Sequence, residues 1–284
     1  MHWKELYQLF LNELTLKYGM DEAVAISRLC FEEMAGKDRF FILTKGNEQV
    51  DITIETAMLH GLTQLKNDVP VQHITGKAWF RNLHLKVTPD TLIPRPETEE
   101  LVQQAIDFIE KENKKSVLDI GTGSGCIAVS IKKECGQVLV TAIDYSKKAL
   151  EVAIENATKQ QTPITFVEMN FLEEKNCTTL PIFDVIISNP PYIPIAQKDL
   201  IDKNVTAHEP AMALFVEDEQ PLIFYEKIAL FAQDHLMQGG QIFMETHWQY
   251  AYEVAAYFIA HGFEARVIKD FFDKERIVAA IRRQ

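Results

Sequence analysis

The chain has 284 residues, a length that accommodates one large domain or two modest ones. Hydrophobic residues make up 47% and charged residues 25%, which excludes a fibrous or low-complexity chain. The sequence contains no apolar run long enough to span a membrane and does not begin like a signal peptide, so we expect a cytoplasmic protein without membrane contact. The net charge of −12 disfavours direct binding of nucleic acid.

Residues 1–74 are predicted to form a small bundle of helices. Apolar residues between Trp3 and Leu14 recur at the i, i+3, i+4 spacing of an amphipathic helix. A second helix is expected to begin at Asp21, whose carboxylate would cap it, and to bury Val24, Leu29, Phe31 and Met34.

A different pattern follows in residues 75–95. The aromatic and alternating residues 79–87 predict a β-hairpin, which we interpret as a linker. Pro96 and the acids after it are placed as the first turn of a helix prefers. A further domain is therefore expected over residues 96–284.

Within residues 96–284, short apolar runs alternate with helical patterns. Such alternation predicts an α/β fold in which helices cover both faces of a parallel sheet. The last two runs, residues 265–268 and 276–280, are too close for a helical crossover. They are expected to pair antiparallel at the edge of the sheet.

A glycine-rich loop follows the first of these apolar runs. Gly121, Gly123 and Gly125 lie between a predicted strand and a predicted helix, where backbone can approach a ligand and unpaired N–H groups are available. Asp144 ends the next strand and is placed to accept the hydroxyl groups of a ribose, to cap the helix that follows, or both. A dinucleotide and S-adenosylmethionine both fit this pattern. A dinucleotide fingerprint would have its third glycine at position 126, which is Cys126 in this chain. The loop therefore favours S-adenosylmethionine.

The sequence Asn-Pro-Pro-Tyr occupies residues 189–192, directly after a buried strand. Two successive prolines stiffen this segment and remove two N–H donors. The side-chain oxygen of Asn189 and the carbonyl of Pro190 are placed to accept the two hydrogens of a planar NH₂ group, and Tyr192 to cover it. Such an arrangement would aim the nitrogen lone pair at an activated methyl group.

Other features carry weaker predictions. Phe171 follows the third strand, where it would stack on an adenine or simply fill the core. His208 and Glu209 lack the spacing of a metal motif and are interpreted as loop contacts, and no metal site is expected. Glu245 ends a strand on the ligand side of the sheet, where it would face a ligand or only solvate the end of the strand.

The chain resembles the protein-(glutamine-N5) methyltransferases that modify peptide-chain release factors. The resemblance runs over nearly the whole length. It is carried by residues 92–99 (Leu-Ile-Pro-Arg-Pro-Glu-Thr-Glu), 119–125 (Asp-Ile-Gly-Thr-Gly-Ser-Gly) and 188–194 (Ser-Asn-Pro-Pro-Tyr-Ile-Pro). Asn170 and Phe171 depart from the aspartate and tryptophan that are more usual in the family.

The resemblance implies a seven-stranded, Rossmann-like class I methyltransferase domain, with the N-terminal helices helping to hold the release factor. The substrate would be the glutamine of a Gly-Gly-Gln motif and the cofactor S-adenosyl-L-methionine. The cofactor would be bound by Gly121, Thr122, Gly123, Ser124, Gly125, Asp144, Phe171 and Asn189. The glutamine would be held by Asn189, Pro190, Pro191 and Tyr192, with Asn189, Pro190 and Tyr192 acting in catalysis.

Three other functions use parts of the same pattern. An N6-adenine methyltransferase acting on DNA or RNA shares the Asn-Pro-Pro-Tyr motif, but the negative charge and the lack of an inserted basic domain argue against it. A non-catalytic scaffold that binds the cofactor would not need that motif. A nicotinamide-dependent oxidoreductase is the third, which binding of NADH would reveal.

Overall fold

A computed structural model describes residues 1–173 and 177–282. The chain divides into two compact units. The first comprises Met1–Lys77 together with Asp202–His208, and the second Ala78–Ile201 together with Glu209–Gln284. Over the described ranges, no helix has both the length and the apolar character needed to cross a bilayer.

The first unit is built from helices. Five of them precede residue 77: α1 (Trp3–Tyr18), α2 (Met20–Ala35), α3 (Arg39–Lys45), α4 (Ile52–Lys66) and α5 (Val71–Thr75). The short helix α9 (Lys203–Thr206) belongs to the inserted segment of the same unit. In that segment, the His208 Nε2 atom lies 3.3 Å from the carbonyl oxygen of Asn67, a loop contact as predicted.

The helices of the first unit enclose an apolar core that includes Trp3, Phe10 and Phe31. The amphipathic pattern predicted for α1 is confirmed, since Trp3, Leu6, Phe10 and Leu14 are all buried. The prediction for α2 is wrong at the start of the helix and at Val24. Gly19, and not Asp21, is its N-cap residue, and Val24 is exposed. The buried residues of α2 are Ala23, Ser27, Cys30 and Phe31, and Leu29 and Met34 are partly buried against the same core, so the prediction holds for Phe31 and in part for these two.

The predicted hairpin is formed by β1 (Lys77–Phe80) and β2 (Leu83–Lys86). The intervening residues Arg81 and Asn82 both have positive φ, 45° and 62°, as a two-residue turn between antiparallel strands requires. Its apolar residues pack into the core of the second unit. Asn156 fixes the hairpin there, accepting from the Lys86 N–H at 2.7 Å and donating to the Lys86 carbonyl at 2.9 Å.

The second unit contains a seven-stranded sheet. Its strands are β3 (Ser116–Ile120), β4 (Leu139–Asp144), β5 (Thr165–Glu168), β6 (Phe183–Ser188), β9 (Leu236–Glu245), β10 (Phe263–Lys269) and β11 (Glu275–Arg282). The order across the sheet is β10-β11-β9-β6-β3-β4-β5. All neighbours are parallel except β11, which runs antiparallel to both β9 and β10. The antiparallel edge is therefore confirmed.

Helices flank the sheet and create an apolar core on each side. They are α6 (Pro96–Lys111), α7 (Cys126–Glu134), α8 (Lys147–Gln160), α11 (Ile223–His235) and α12 (Ala251–Ala260). Successive residues of one strand point to opposite faces, so Val117 joins the core with α6 and α7, whereas Leu118 joins the core with α11 and α12. The predicted α/β class, with a helical N-terminal region, is confirmed.

Short elements lie between β6 and α11. Besides α9, which belongs to the first unit, these are β7 (Ile193–Pro194), a 3₁₀ helix (Ile195–Leu200), α10 (Ala211–Leu214) and β8 (Phe215–Val216). The strands β7 and β8 pair with each other in parallel. This pairing connects the segment after β6 to the segment before α11, beyond the carboxyl end of β6.

Candidate active site

A cavity of about 450 Å³ lies at the carboxyl ends of the parallel strands β3, β4 and β6. Open α/β sheets place their ligands at this edge. Seven of the residues predicted for the site line it: Gly121, Gly123, Asp144, Phe171, Asn189, Pro190 and Pro191. Of the other predicted residues, all within the described ranges, Thr122, Ser124, Gly125 and Tyr192 lie outside its lining.

Residues 119–125, here called the glycine loop, connect β3 to α7. The N–H groups of Gly121 and Thr122 both donate to the carbonyl of Ile143, at 2.9 and 3.0 Å. The Gly123 N–H donates to the Asp144 carboxylate at 2.8 Å. The loop is thus fastened to the end of the neighbouring strand β4.

Two glycines of this loop differ in what surrounds them. At Gly123 φ is +56°, and the position that a Cβ atom would occupy has no neighbour within 4 Å, although the residue lines the cavity. At Gly125 a Cβ atom would lie 3.0 Å from the Cβ atom of Ala153. Gly123 therefore keeps the cavity free of side chain, whereas Gly125 permits close packing of α7 against α8.

Asp144 occupies the position predicted for it at the end of β4. Its two carboxylate oxygens accept from the Gly123 N–H and from the Ser146 N–H, each at 2.8 Å. A carboxylate offers about four acceptor sites, so each oxygen retains the capacity to bind a ligand hydroxyl. Burial raises the pKa of Asp144, while the backbone N–H donors oppose that shift. The cap of α8 is instead Ser146.

Asp119 is a buried acid that the sequence reasoning did not assign to the site. Its carboxylate accepts from the Thr122 hydroxyl at 2.6 Å and so fixes the first turn of the glycine loop. Burial raises its pKa to about 7. An acid at the end of a buried strand, directly before a glycine-rich turn, is the signal that could have identified it.

Phe171 and Asn170 lie where an adenine-side contact was predicted. Phe171 lines the cavity but is 6% exposed, and its ring meets that of Phe231 edge-on at 5.4 Å between centroids. It therefore belongs to the core and to the cavity wall at once. The side chain of Asn170, also in the wall, accepts from the Leu172 N–H at 3.1 Å.

The segment after β6 brings Asn189 against the first turn of α6. The Asn189 Nδ2 atom donates to the hydroxyl of Thr98 at 3.0 Å. Thr98 is buried and in turn donates to the Glu245 carboxylate at 2.6 Å. Because the amide nitrogen is engaged by Thr98, the Asn189 side-chain oxygen remains as an acceptor.

Glu245 ends β9 and is buried beside Tyr192. The second oxygen of its carboxylate accepts from the Tyr192 hydroxyl at 3.2 Å. Burial raises the pKa of Glu245, opposed by the Thr98 hydroxyl and by Arg276. Burial likewise raises the pKa of Tyr192, and the Glu245 charge adds to the shift. We call Asn189, Pro190, Tyr192, Thr98 and Glu245 the transfer corner.

Glu209 bonds to the segment that leads into α6 and Thr98. Its buried carboxylate accepts from the Ile93 N–H at 2.9 Å and forms an ion pair with Arg95 at 2.5 Å. These bonds hold the segment that leads into α6 and Thr98. Sequence reasoning assigned Glu209 only a loop contact, and Thr98 only a place in a helix start. For Thr98, the signal available in the sequence was a threonine flanked by two acids directly after Ile-Pro-Arg-Pro.

The seven-stranded sheet with this strand order, and the glycine loop at its ligand edge, give the second unit the class I methyltransferase fold. Solved structures share the fold. A methyltransferase from Pyrococcus furiosus matches with a TM-score of 0.53 at 16% identity, covering 82% of this chain and 99% of that one. The hMettl16 catalytic domain, solved in complex with the MAT2A 3'UTR hairpin 6, matches with a TM-score of 0.55 at 13% identity, covering 83% and 87%.

Sequence comparison identifies the family. Residues 5–76 match the "PrmC N-terminal domain" family and residues 101–209 the "Methyltransferase small domain" family. A release factor glutamine methyltransferase of Flavobacterium psychrophilum is 42% identical over 76% of this chain and 77% of its own. Those of Bacteroides thetaiotaomicron and Streptococcus pneumoniae are each 36% identical, over 93% and 98% of this chain and 95% and 98% of their own. The protein belongs to the release factor glutamine methyltransferase family, as its motifs predicted.

Proposed function

We propose that the protein transfers the methyl group of S-adenosyl-L-methionine to the side-chain amide nitrogen of the glutamine in the Gly-Gly-Gln motif of peptide-chain release factors. Family membership supports the substrate class, because its relatives bear the name release factor glutamine methyltransferase. The observation that carries the proposal is the orientation of Asn189, whose NH₂ group is bound by Thr98.

The cavity suits the proposed cofactor. The open space at Gly121 and Gly123 leaves room for a ligand against the backbone, and Asp144 retains free acceptor sites for ribose hydroxyls. Phe171 supplies an apolar wall for the adenine ring. When bound, S-adenosylmethionine supplies an electrophilic methyl carbon, which the substrate nitrogen takes up as the carbon–sulfur bonding pair passes to sulfur.

Asn189 and Pro190 would hold the substrate amide for this transfer. An amide NH₂ is a poor nucleophile because its lone pair is delocalised into the carbonyl. The Asn189 side-chain oxygen and the Pro190 carbonyl would each accept one of its two N–H bonds, which fixes the direction of the nitrogen lone pair. Pro190 and Pro191 contribute no N–H donor, so the corner presents acceptors to the incoming NH₂ group.

The corner would need no strong general base. The nitrogen becomes acidic once it is alkylated, so its proton can leave to solvent after the new bond has formed. Tyr192 would form one side of the corner, with its hydroxyl held by Glu245. The raised pKa of Tyr192 keeps this hydroxyl protonated and excludes it as a base at neutral pH.

Mass spectrometry of the product tests this proposal. The purified protein is incubated with S-adenosylmethionine and a release factor, and the tryptic peptide that contains Gly-Gly-Gln is analysed. We expect a gain of about 14 daltons, one CH₂, on the glutamine side chain. A release factor in which that glutamine is replaced by glutamate is the matched control and should gain nothing.

Parallel reactions test the competing functions. Replacing the release factor by DNA or RNA tests for an adenine methyltransferase, and methyl label in nucleic acid alone would contradict the proposal. Cofactor binding without transfer to any of these substrates would favour the scaffold. Binding of NADH in place of S-adenosylhomocysteine would favour the oxidoreductase.

A further inference from the structure

The transfer corner contains a continuous chain of hydrogen bonds between side chains that are distant in sequence. It runs from the Asn189 amide to the Thr98 hydroxyl at 3.0 Å and on to the Glu245 carboxylate at 2.6 Å. The Tyr192 hydroxyl joins the other carboxylate oxygen at 3.2 Å. Thr98 is 2% exposed and Glu245 is 1% exposed, so water does not compete for these bonds.

We propose that Glu245 and Thr98 are positioning residues that set which end of the Asn189 amide faces the substrate. This inference rests on the proposed function and deepens it. Neither residue lines the cavity. Glu245 acts through Thr98 on Asn189 and directly on Tyr192, so one buried charge orients both polar side chains of the corner.

The number of hydrogens available for donation fixes the orientation of the Asn189 amide. An ionised Glu245 can only accept, so the single hydroxyl hydrogen of Thr98 is used toward it. The Thr98 oxygen is then an acceptor, which only the NH₂ end of the Asn189 amide satisfies. The amide oxygen must therefore face the cavity, where a substrate NH₂ needs an acceptor.

Protonation of Glu245 would reverse the orientation of the Asn189 amide. A protonated carboxyl can donate to the Thr98 oxygen, which releases the hydroxyl hydrogen of Thr98 toward Asn189. The amide oxygen of Asn189 then turns to Thr98, and its NH₂ group turns toward the substrate. Two NH₂ groups would oppose each other, and the substrate would lose one of its two acceptors.

The surroundings of Glu245 contain charges of both signs. The titratable groups that face it from neighbouring elements are Arg276, Tyr192, Tyr225, Glu97 and Cys126. Arg276 favours the ionised form and Glu97 opposes it, but burial is the largest influence and raises the pKa of Glu245 above its ordinary value of 4.5. Activity should thus fall as pH decreases through this raised pKa.

Kinetics of three variants test the role of Thr98. Thr98→Val keeps the shape of the side chain but removes the hydroxyl, and should lower kcat about 100-fold because the Asn189 amide is no longer oriented. Thr98→Ser restores the hydroxyl and should recover most of the wild-type kcat. Thr162→Val, which removes a buried hydroxyl bonded to the Ala157 carbonyl at 3.1 Å, is the matched control and should leave kcat unchanged.

Affinity for S-adenosylhomocysteine, measured by calorimetry, separates positioning from unfolding. A folded Thr98→Val protein should bind this product as the wild type does. Unchanged kcat in Thr98→Val, or an equal loss in Thr98→Ser, would overturn the proposal.

The pH dependence tests the role of the Glu245 charge. The wild-type kcat should decline on the acid side as Glu245 becomes protonated, whereas Glu245→Gln has no charge to lose there and should show no such decline. An acid decline that is identical in the two proteins would assign it to another group and refute the switch.

A measurement without substrate keeps this inference separable from the proposed function. The ¹⁵N resonance of the Asn189 side-chain amide, assigned with Asn189→Ala, should shift with pH in the full chain and remain fixed in Glu245→Gln. If the wild type methylates no release factor, the proposed function fails whatever the resonance does. If it methylates normally but the resonance is independent of pH, the inference fails and the function stands.

Discussion

The glycine loop and the transfer corner lie at the same edge of one sheet but are stabilised in different ways. In the glycine loop, the N–H groups of three consecutive residues, 121–123, donate to Ile143 and Asp144, which lie 21 or 22 positions further along the chain. In the transfer corner, Asn189 bonds to Thr98 across 91 positions, and Thr98 bonds to Glu245 across 147 positions. One half of the site is held by backbone N–H groups that reach the next strand, and the other half by a network of side chains with far larger sequence separations.

This difference predicts how each half responds to substitution. Backbone geometry tolerates changes of side chain that leave φ and the open space intact. In the side-chain network every hydrogen is already used, so a group that loses its partner finds no other donor or acceptor. A buried polar group left unpaired in this way costs much free energy.

Asn189→Ala should have the largest effect on activity. The variant removes the acceptor for the substrate NH₂, so we expect kcat to fall about 100- to 1000-fold. Affinity for S-adenosylhomocysteine should change far less, because the glycine loop and Asp144 are untouched. Single-turnover kinetics and calorimetry measure the two quantities. Asn12→Ala, an exposed amide on α1, is the control, and equal losses in both variants would contradict the comparison.

Asp119 should link the stability of the glycine loop to pH. Its pKa of about 7 in the folded protein, raised by burial, means that the folded state binds more protons than the unfolded state between about pH 4 and 7. The free energy of unfolding should therefore decrease as pH rises through this range, by roughly 2 to 4 kcal/mol. Urea titrations from pH 5 to 8 should show a flatter dependence in Asp119→Asn. Parallel curves for the two proteins would rule out this contribution.

Gly123→Ala should weaken the other half of the site. A methyl group would occupy the open space of the cavity wall, and φ of +56° is unfavourable for alanine. The strain of about 1 to 2 kcal/mol should lower the free energy of unfolding, while the methyl group, which takes up space against which the ligand would lie, should weaken binding of S-adenosylhomocysteine about tenfold or more. Gly136→Ala, in an exposed turn with no close neighbours, should bind it normally. Normal affinity in Gly123→Ala would show that the open space is not used.

Lys148→Ala should have the smallest effect. The Lys148 ammonium lies 3.0 Å from the carboxylate of Asp90, a residue of the cavity wall, but the lysine side chain is largely exposed. Exposed ion pairs contribute less than about 1 kcal/mol. Cofactor affinity and unfolding free energy should both remain close to wild type. A large loss of cofactor affinity or of unfolding free energy would mean that the exposed pair of Lys148 and Asp90 contributes more than an exposed ion pair should.

Errors in the sequence interpretation have the same physical origin as the difference between the two halves. Val24 fits the amphipathic pattern of α2 yet is exposed, because the neighbouring helices bury the face that contains Ala23, Ser27 and Cys30. Asp21 is a good capping residue, but the chain leaves α1 through Gly19, which takes the cap position first. Which face of a helix is buried depends on its partners, and a local pattern does not specify them.

The sequence by itself determined the family, the alternation of strands and helices, the glycine loop and the Asn-Pro-Pro-Tyr segment. Each of these depends on residues that are adjacent in the chain, where periodicity and backbone restriction act directly. Only the tertiary structure brought Thr98 from the start of α6 and Glu245 from the end of β9 to Asn189. Hydrogen bonds between buried side chains depend on which strands and helices meet at the carboxyl edge of the sheet, and that is decided by the packing of the whole domain.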